Sequence, residues 1–178
     1  MFNPYNKIVV DCYDDADFAA LWEHKNLQGH ICDRSRIGCV VTFSHFLLLW
    51  VSKLQTDIAL FNLHSEYVVL YHSVRELLPL KNLIKEVIDK LGIDSEKLNF
   101  VPGYTLYEDN NGDISVATSP RVTTTSNHIY VSYYWFIQNV VKGFLIRKIN
   151  SENHKADIFT KGLQGELFVR IRKLLCGW

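Results

Sequence analysis

Ile8-Val9-Val10-Asp11-Cys12-Tyr13-Asp14-Asp15-Ala16-Asp17 begins on β-branched residues and runs into acids. β-branched and aromatic side chains suit a pleated, half-buried surface. The stretch therefore reads as a strand that ends in polar residues, with Asp15 at its end. The ends of strands and the starts of helices are where a mixed α/β sheet collects its functional side chains.

Beyond it, residues 22–36 are polar and read as loop. Gly38 to Phe43 and Leu48 to Ser52 are two further strand candidates. The longest unbroken apolar run, Phe46 to Val51, has a length that suits a buried strand. Thr56 and Asp57 interrupt the apolar pattern, which resumes at Ile58-Ala59-Leu60-Phe61, so the first part is expected to be a three-stranded meander. From about Ser65 to Leu91 the pattern is helical: Leu80, Leu83, Ile84, Val87, Ile88 and Leu91 recur every three or four residues. Gly92 supplies the stop, and Pro79 is expected to kink or break the run.

Thr105-Leu106-Tyr107 reads as a short strand entering the polar stretch Glu108-Asp109-Asn110-Asn111-Gly112-Asp113. A helical turn is expected over Ile114 to Thr118 and a loop over residues 119–127. His128 to Lys142 reads as a helix closed by Gly143, Phe144 to Ile149 as the last strand, and Ser151 to Leu175 as a final helix through Asp157. Three strands followed by helix, strand, helix, strand and helix imply an α/β fold: one domain over residues 1–178, a mixed sheet with helices on its faces.

Composition narrows the class. The 178 residues are 48% hydrophobic and 21% charged, ordinary values for a globular domain. No apolar run approaches the roughly 18 residues of a membrane span, and the first residues lack the charged-then-apolar order of a secretion signal. No membrane association is expected. An intracellular location is, whether cytoplasm, virus-like particle or nucleus. The four cysteines, Cys12, Cys32, Cys39 and Cys176, form no C-x-x-C pair and read as reduced thiols, although His30 with Cys32 leaves a zinc site open. The formal net charge of zero neither demands nor excludes nucleic acid, because local basic patches count for more than the sum.

Four acids fall where such a sheet would gather them: Asp15 at the end of the first strand, Glu66 at the start of the long helix, Asp109 after the fourth strand, and Asp157 in the last helix. Four converging carboxylates repel one another unless a cation lies among them. Hard divalent ions take oxygen ligands, and a pair of them can clamp the attacking and leaving oxygens of a phosphodiester. With 19 acids in the chain, each also fits a plainer role: a solvated acidic turn around Asp15, a polar turn at Asp109, or a helix-start acid at Glu66 and Asp157. The Asp109 stretch is not a calcium loop. Counting Asp109 as the first ligand puts Ile114 at the required glycine and Pro120 at the required glutamate.

Several phrases, in order, carry a family resemblance: Asp15-Ala16-Asp17-Phe18-Ala19, Trp50-Val51-Ser52-Lys53-Leu54-Gln55, Ser65-Glu66-Tyr67, Glu108-Asp109-Asn110, His128-Ile129 and Ala156-Asp157-Ile158-Phe159-Thr160-Lys161. With them the chain resembles, over nearly its whole length, the ribonuclease H domain of copia-type LTR-retrotransposon polyproteins. The resemblance implies a ribonuclease H-like fold with a mixed five-stranded sheet flanked by helices. It implies cleavage of the RNA strand of RNA–DNA hybrids, two Mg²⁺ or Mn²⁺ ions, and a reverse transcriptase domain as a partner. Asp15, Glu66, Asp109 and Asp157 would then be both catalytic and metal-binding. His154, three residues before Asp157, reads as a solvated side chain or as an aid to proton transfer or product release.

Some positions depart from the family pattern. Asn127 stands where lysine is common, Tyr134 where histidine is common, Ile137 where arginine is common, and Ala20 replaces a frequent glycine. Lost basic residues mean lost phosphate contacts. A catalytically silent binding or scaffold domain of a decayed or domesticated element is therefore the second reading, and another nuclease of this fold, an integrase or resolvase, the third.

Overall fold

The computed structural model describes residues 8–18, 34–60, 62–92, 100–110, 114, 135 and 143–177. Five strands form one sheet: β1 (Ile8–Asp17), β2 (Arg36–Phe43), β3 (Phe46–Leu54), β4 (Phe100–Glu108) and β5 (Phe144–Lys148), in the order β3-β2-β1-β4-β5. β1–β2 and β2–β3 pair antiparallel, while β1–β4 and β4–β5 pair parallel. The helices are α1 (Asn62–Lys90), α2 (Asp157–Thr160) and α3 (Gly165–Cys176), with a 3₁₀ turn at Ser151–Asn153. The expected mixed five-stranded sheet is present, and every strand is longer than its sequence pattern suggested or matches it to within a residue or two. Among the described residues, no helix is long and apolar enough to cross a membrane.

Side chains alternate across a strand, and here the alternation sorts the sheet into two layers. Val10 and Cys12 of β1, Cys39 and Val41 of β2, and Tyr104 and Leu106 of β4 pack under Tyr67, Leu70, Val74 and Leu77 of α1. Tyr13 and Val40 face the other way and meet Ala156, Ile171 and Leu175 from the α2–α3 side. Asp14 thus falls on the α1 side, fully buried near Cys12, whereas Asp15 falls on the α2 side. Cys12 and Cys39 are free, buried thiols and Cys176 is a free, exposed one, as the irregular spacing implied. Cys32 and His30 lie outside the described residues.

Four expectations need correcting. Phe46–Val51 is not a buried strand: β3 is an edge strand, and Phe46, Leu48 and Trp50 are exposed. It joins β2 through a two-residue turn in which Ser44 and His45 both have positive φ, the conformation that matches strand twist in tight hairpins. Pro79 does not end α1, which runs unbroken over 29 residues. The proline falls just past the well-buried Val74 and Leu77, whose packing, with that of Leu80 and Ile84, holds both sides of it. α1 also begins three residues earlier than read, so Glu66 lies in its second turn. The final helix is divided in two: Lys161 and Gln164 are extended, and Gly165, at φ +60°, starts α3 anew. The expected helices over 114–118 and 128–142 fall largely outside the described residues; Ile114 and Trp135 are helical.

Candidate metal centre

Asp15 of β1 pairs with Gly38 of β2, which pairs with Ser52 of β3, so these three form a row across one face of the sheet. α2 lies along this row. Thr160 Oγ1 donates to Asp15 Oδ2 and, at 3.2 Å, to the Asp157 carbonyl. Ser52 Oγ donates to the Phe159 carbonyl at 2.6 Å. Gly38 is what permits the approach. A Cβ there would sit 2.6 Å from Thr160 Cγ2 and 2.9 Å from the Ala156 carbonyl oxygen, closer than real Cβ atoms come.

This docking brings Asp157 to Asp15. Both are almost wholly buried, and one ammonium bridges them: Lys161 Nζ donates to Asp15 Oδ1 at 3.0 Å and to Asp157 Oδ1 at 3.3 Å. His154 completes the cluster; ligand atoms of Asp15, His154 and Asp157 all lie within 4.8 Å of one another. His154 is not solvated, as the sequence suggested, but fully buried. Its Nδ1 lies 3.0 Å from Asp157 Oδ1 and its Nε2 3.3 Å from the Tyr107 carbonyl oxygen. Both partners are acceptors, so only the doubly protonated ring satisfies both. Burial works against that charge, but the bond to Asp157 and the charges of Asp157, Asp15 and Asp109 outweigh it and raise the ring above the ordinary histidine value. Burial likewise works to raise Asp157, yet the His154 bond and the Lys161 charge hold it below the ordinary carboxylate range.

The remaining two acids stand nearby but outside that cluster. Continuing the parallel register two residues past Tyr13–Tyr107 sets Asp109 level with Asp15 at the same end of the sheet. Asp109 Oδ2 accepts from Ser151 Oγ at 2.8 Å. Glu108, wholly buried, holds this strand end by accepting the backbone N–H groups of Asp109 and Asn110. Glu66 Oε2 accepts the Ala16 N–H at 3.0 Å, which ties α1 to the residue after Asp15.

The donor set suits a hard divalent cation. Asp15 and Asp157 are buried carboxylates that already share a cation, in the form of the Lys161 ammonium, and oxygen ligands are what Mg²⁺ and Mn²⁺ take. The His154 nitrogen facing the cluster is committed to Asp157, which makes His154 a support for a ligand rather than a ligand itself. Thr160 and Lys161 were not read as site residues from the sequence, and His154 was read as solvated or as an aid to proton transfer or product release. Their signal was present in the Ala156–Lys161 phrase and in the i,i+3 spacing of His154 and Asp157.

The fold is that of a ribonuclease H. A ribonuclease H1 isolated from compost by a metagenomic approach superposes with a TM-score of 0.54 at 14% identity, covering 85% of this chain and 91% of that one. The same enzyme in complex with an RNA/DNA hybrid gives 0.51 at 16% identity, covering 84% and 92%. The N-terminal ribonuclease H domain of a Mycobacterium tuberculosis protein gives 0.51 at 11% identity, covering 86% and 91%. No family model matches the chain. In sequence the chain is similar to the retrovirus-related Pol polyprotein from transposon TNT 1-94 of Nicotiana tabacum, at 27% identity over 168 residues, which is 94% of this chain and 11% of that one. The chain spans about a tenth of the length of the curated relative it matches. The resemblance to a copia-type retrotransposon polyprotein thus holds over nearly the whole chain, and fold and resemblance together describe a ribonuclease H-type domain.

Proposed function

We propose that the chain is a metal-dependent endonuclease that cleaves the RNA strand of RNA–DNA hybrids, with Asp15, Glu66, Asp109 and Asp157 as its metal-binding, catalytic acids. One observation carries the reading. Two buried carboxylates from opposite ends of the sequence meet around a single ammonium, that of Lys161, at the carboxyl ends of parallel strands, where open α/β sheets bind their ligands. The similarity to a polyprotein and the hybrid bound by a protein of like fold support the choice of substrate and a reverse transcriptase domain as partner.

The chain's own groups have definite tasks. Asp15 and Asp157 would supply oxygen ligands to the metal, with Asp109 and Glu66 as further ones. Thr160 fixes the Asp15 carboxylate and His154 that of Asp157, so neither turns freely. Divalent ions, when bound, supply Lewis acidity toward water and the phosphodiester oxygens. The ribose 2′-hydroxyl is the group by which such a site tells RNA from DNA.

The test is cleavage of a labelled RNA–DNA hybrid with Mg²⁺ or Mn²⁺, beside Asp157→Asn. The expected outcome is metal-dependent cleavage of the RNA strand, reduced at least a hundredfold in the variant. A folded protein that binds no metal and cuts nothing overturns the reading. It would favour a silent binding or scaffold domain, which the uncharged residues at Asn127, Tyr134 and Ile137 already suggest.

A further inference from the structure

We propose that Lys161 is a built-in counter-cation: in the metal-free protein its ammonium holds Asp15 and Asp157 together, and it must leave before a divalent ion can enter. This rests on the metal-site reading above. It concerns what occupies the acids before the metal does.

The geometry carries it. The two Oδ1 atoms that point into the cluster are the two that Lys161 Nζ contacts, at 3.0 and 3.3 Å. An ion held between those two oxygens would compete with the ammonium for them. The two acids have side chains only 3% and 7% exposed, whereas that of Lys161 is 40% exposed, so the ammonium plugs the cluster from its solvent side. The Lys161 backbone N–H stays bonded to the Asp157 carbonyl at 2.9 Å, so the side chain alone would move. Lys161 is the extended residue that ends α2, at φ −116° and ψ 148°, and Gly162 follows with open space around it. Nothing helical confines the side chain.

Charge also favours the exchange. A divalent ion carries twice the charge of the ammonium. It also sits at about two-thirds the distance from an oxygen, which makes its attraction to each carboxylate roughly threefold stronger at equal dielectric. Exchange therefore favours the metal once dehydration is met. The cost of displacing Lys161 sets a threshold concentration, and the freed ammonium is delivered to the mouth of the site, where a polyanion would lie.

Two measurements test this on the full chain. The first is calorimetric titration of wild type and Lys161→Gln with Mn²⁺, together with melting in EDTA. Lys161→Gln is expected to bind Mn²⁺ at least tenfold more tightly and to melt lower than wild type in EDTA, with Mn²⁺ closing the gap. The second uses wild type only: acetic anhydride labelling of Lys161, read by mass spectrometry, is expected to rise severalfold on saturation with Mg²⁺. Equal or weaker Mn²⁺ binding by the variant, or labelling that does not respond to Mg²⁺, overturns the exchange while leaving the metal site standing. Absence of Mn²⁺ binding in both proteins overturns the exchange and the metal-site reading together.

Discussion

At the scale of single residues, the site is a matter of which side of a strand a carboxylate takes. Asp14 and Asp15 are neighbours, yet alternation sends Asp14 under α1 and Asp15 toward α2. The family phrase singled out Asp15 rather than Asp14, and Asp15 is the one that lies beside Asp157. The role of His154 was legible only in part: its i,i+3 spacing to Asp157 was visible, but its second partner is a β4 carbonyl 47 residues away, which no local pattern announces. The His154–Asp157 pair gives a pH signature. A histidine raised in the folded state adds stability that is full below its unfolded value of about 6.5 and fades as pH rises through the folded value. An aspartate held low adds stability that is full above about 3.9 and fades as pH falls through its folded value. In EDTA, the cost of His154→Gln is therefore expected to be greatest between about pH 4 and 6.5, where Asp157 loses one of its two charged partners and keeps Lys161. Melting temperature against pH for the two proteins checks it; a gap independent of pH would reduce His154 to packing.

At the scale of elements, α2 is a four-residue helix that could not stand alone and is positioned from below. Gly38 supplies the room and Ser52 the anchor. Gly38→Ala is expected to push α2 off the sheet, cost about 2 kcal/mol through overpacking, and weaken Mn²⁺ binding more than tenfold. A titration with unchanged affinity would show that α2 tolerates the shift. The strands were legible because β-branched and aromatic runs marked them. The division of the last helix was not. Helical spacing persists through residues 151–175, and among the positions that abandon helical geometry, His154 and Lys161 do so where their side chains reach Asp157. The unbroken course of α1 through Pro79 was hidden for a related reason: tertiary packing on both sides of the proline outweighs its local preference.

For the whole molecule, the hairpin order of the first three strands was readable from their succession. The parallel pairing of β1 with β4 was not, since it depends on packing across the sheet rather than on local pattern. The two layers have separate duties. Leu77, fully buried, belongs to the α1 layer, and Ile171, fully buried, to the layer that clamps α2. Leu77→Ala and Ile171→Ala should each cost about 3 kcal/mol in unfolding free energy. Only Ile171→Ala is expected to loosen Mn²⁺ binding as well. Equal effects on affinity from both would mean that the layers are not independent.

The contact between Lys161 and Asp15 spans 146 residues. During synthesis β1 leaves the ribosome long before α2 exists. A nascent chain can form its hairpins and still have no partner for Asp15. The cluster of Asp15, Asp157 and Lys161 therefore cannot assemble until translation has passed residue 161 and these distant segments have met.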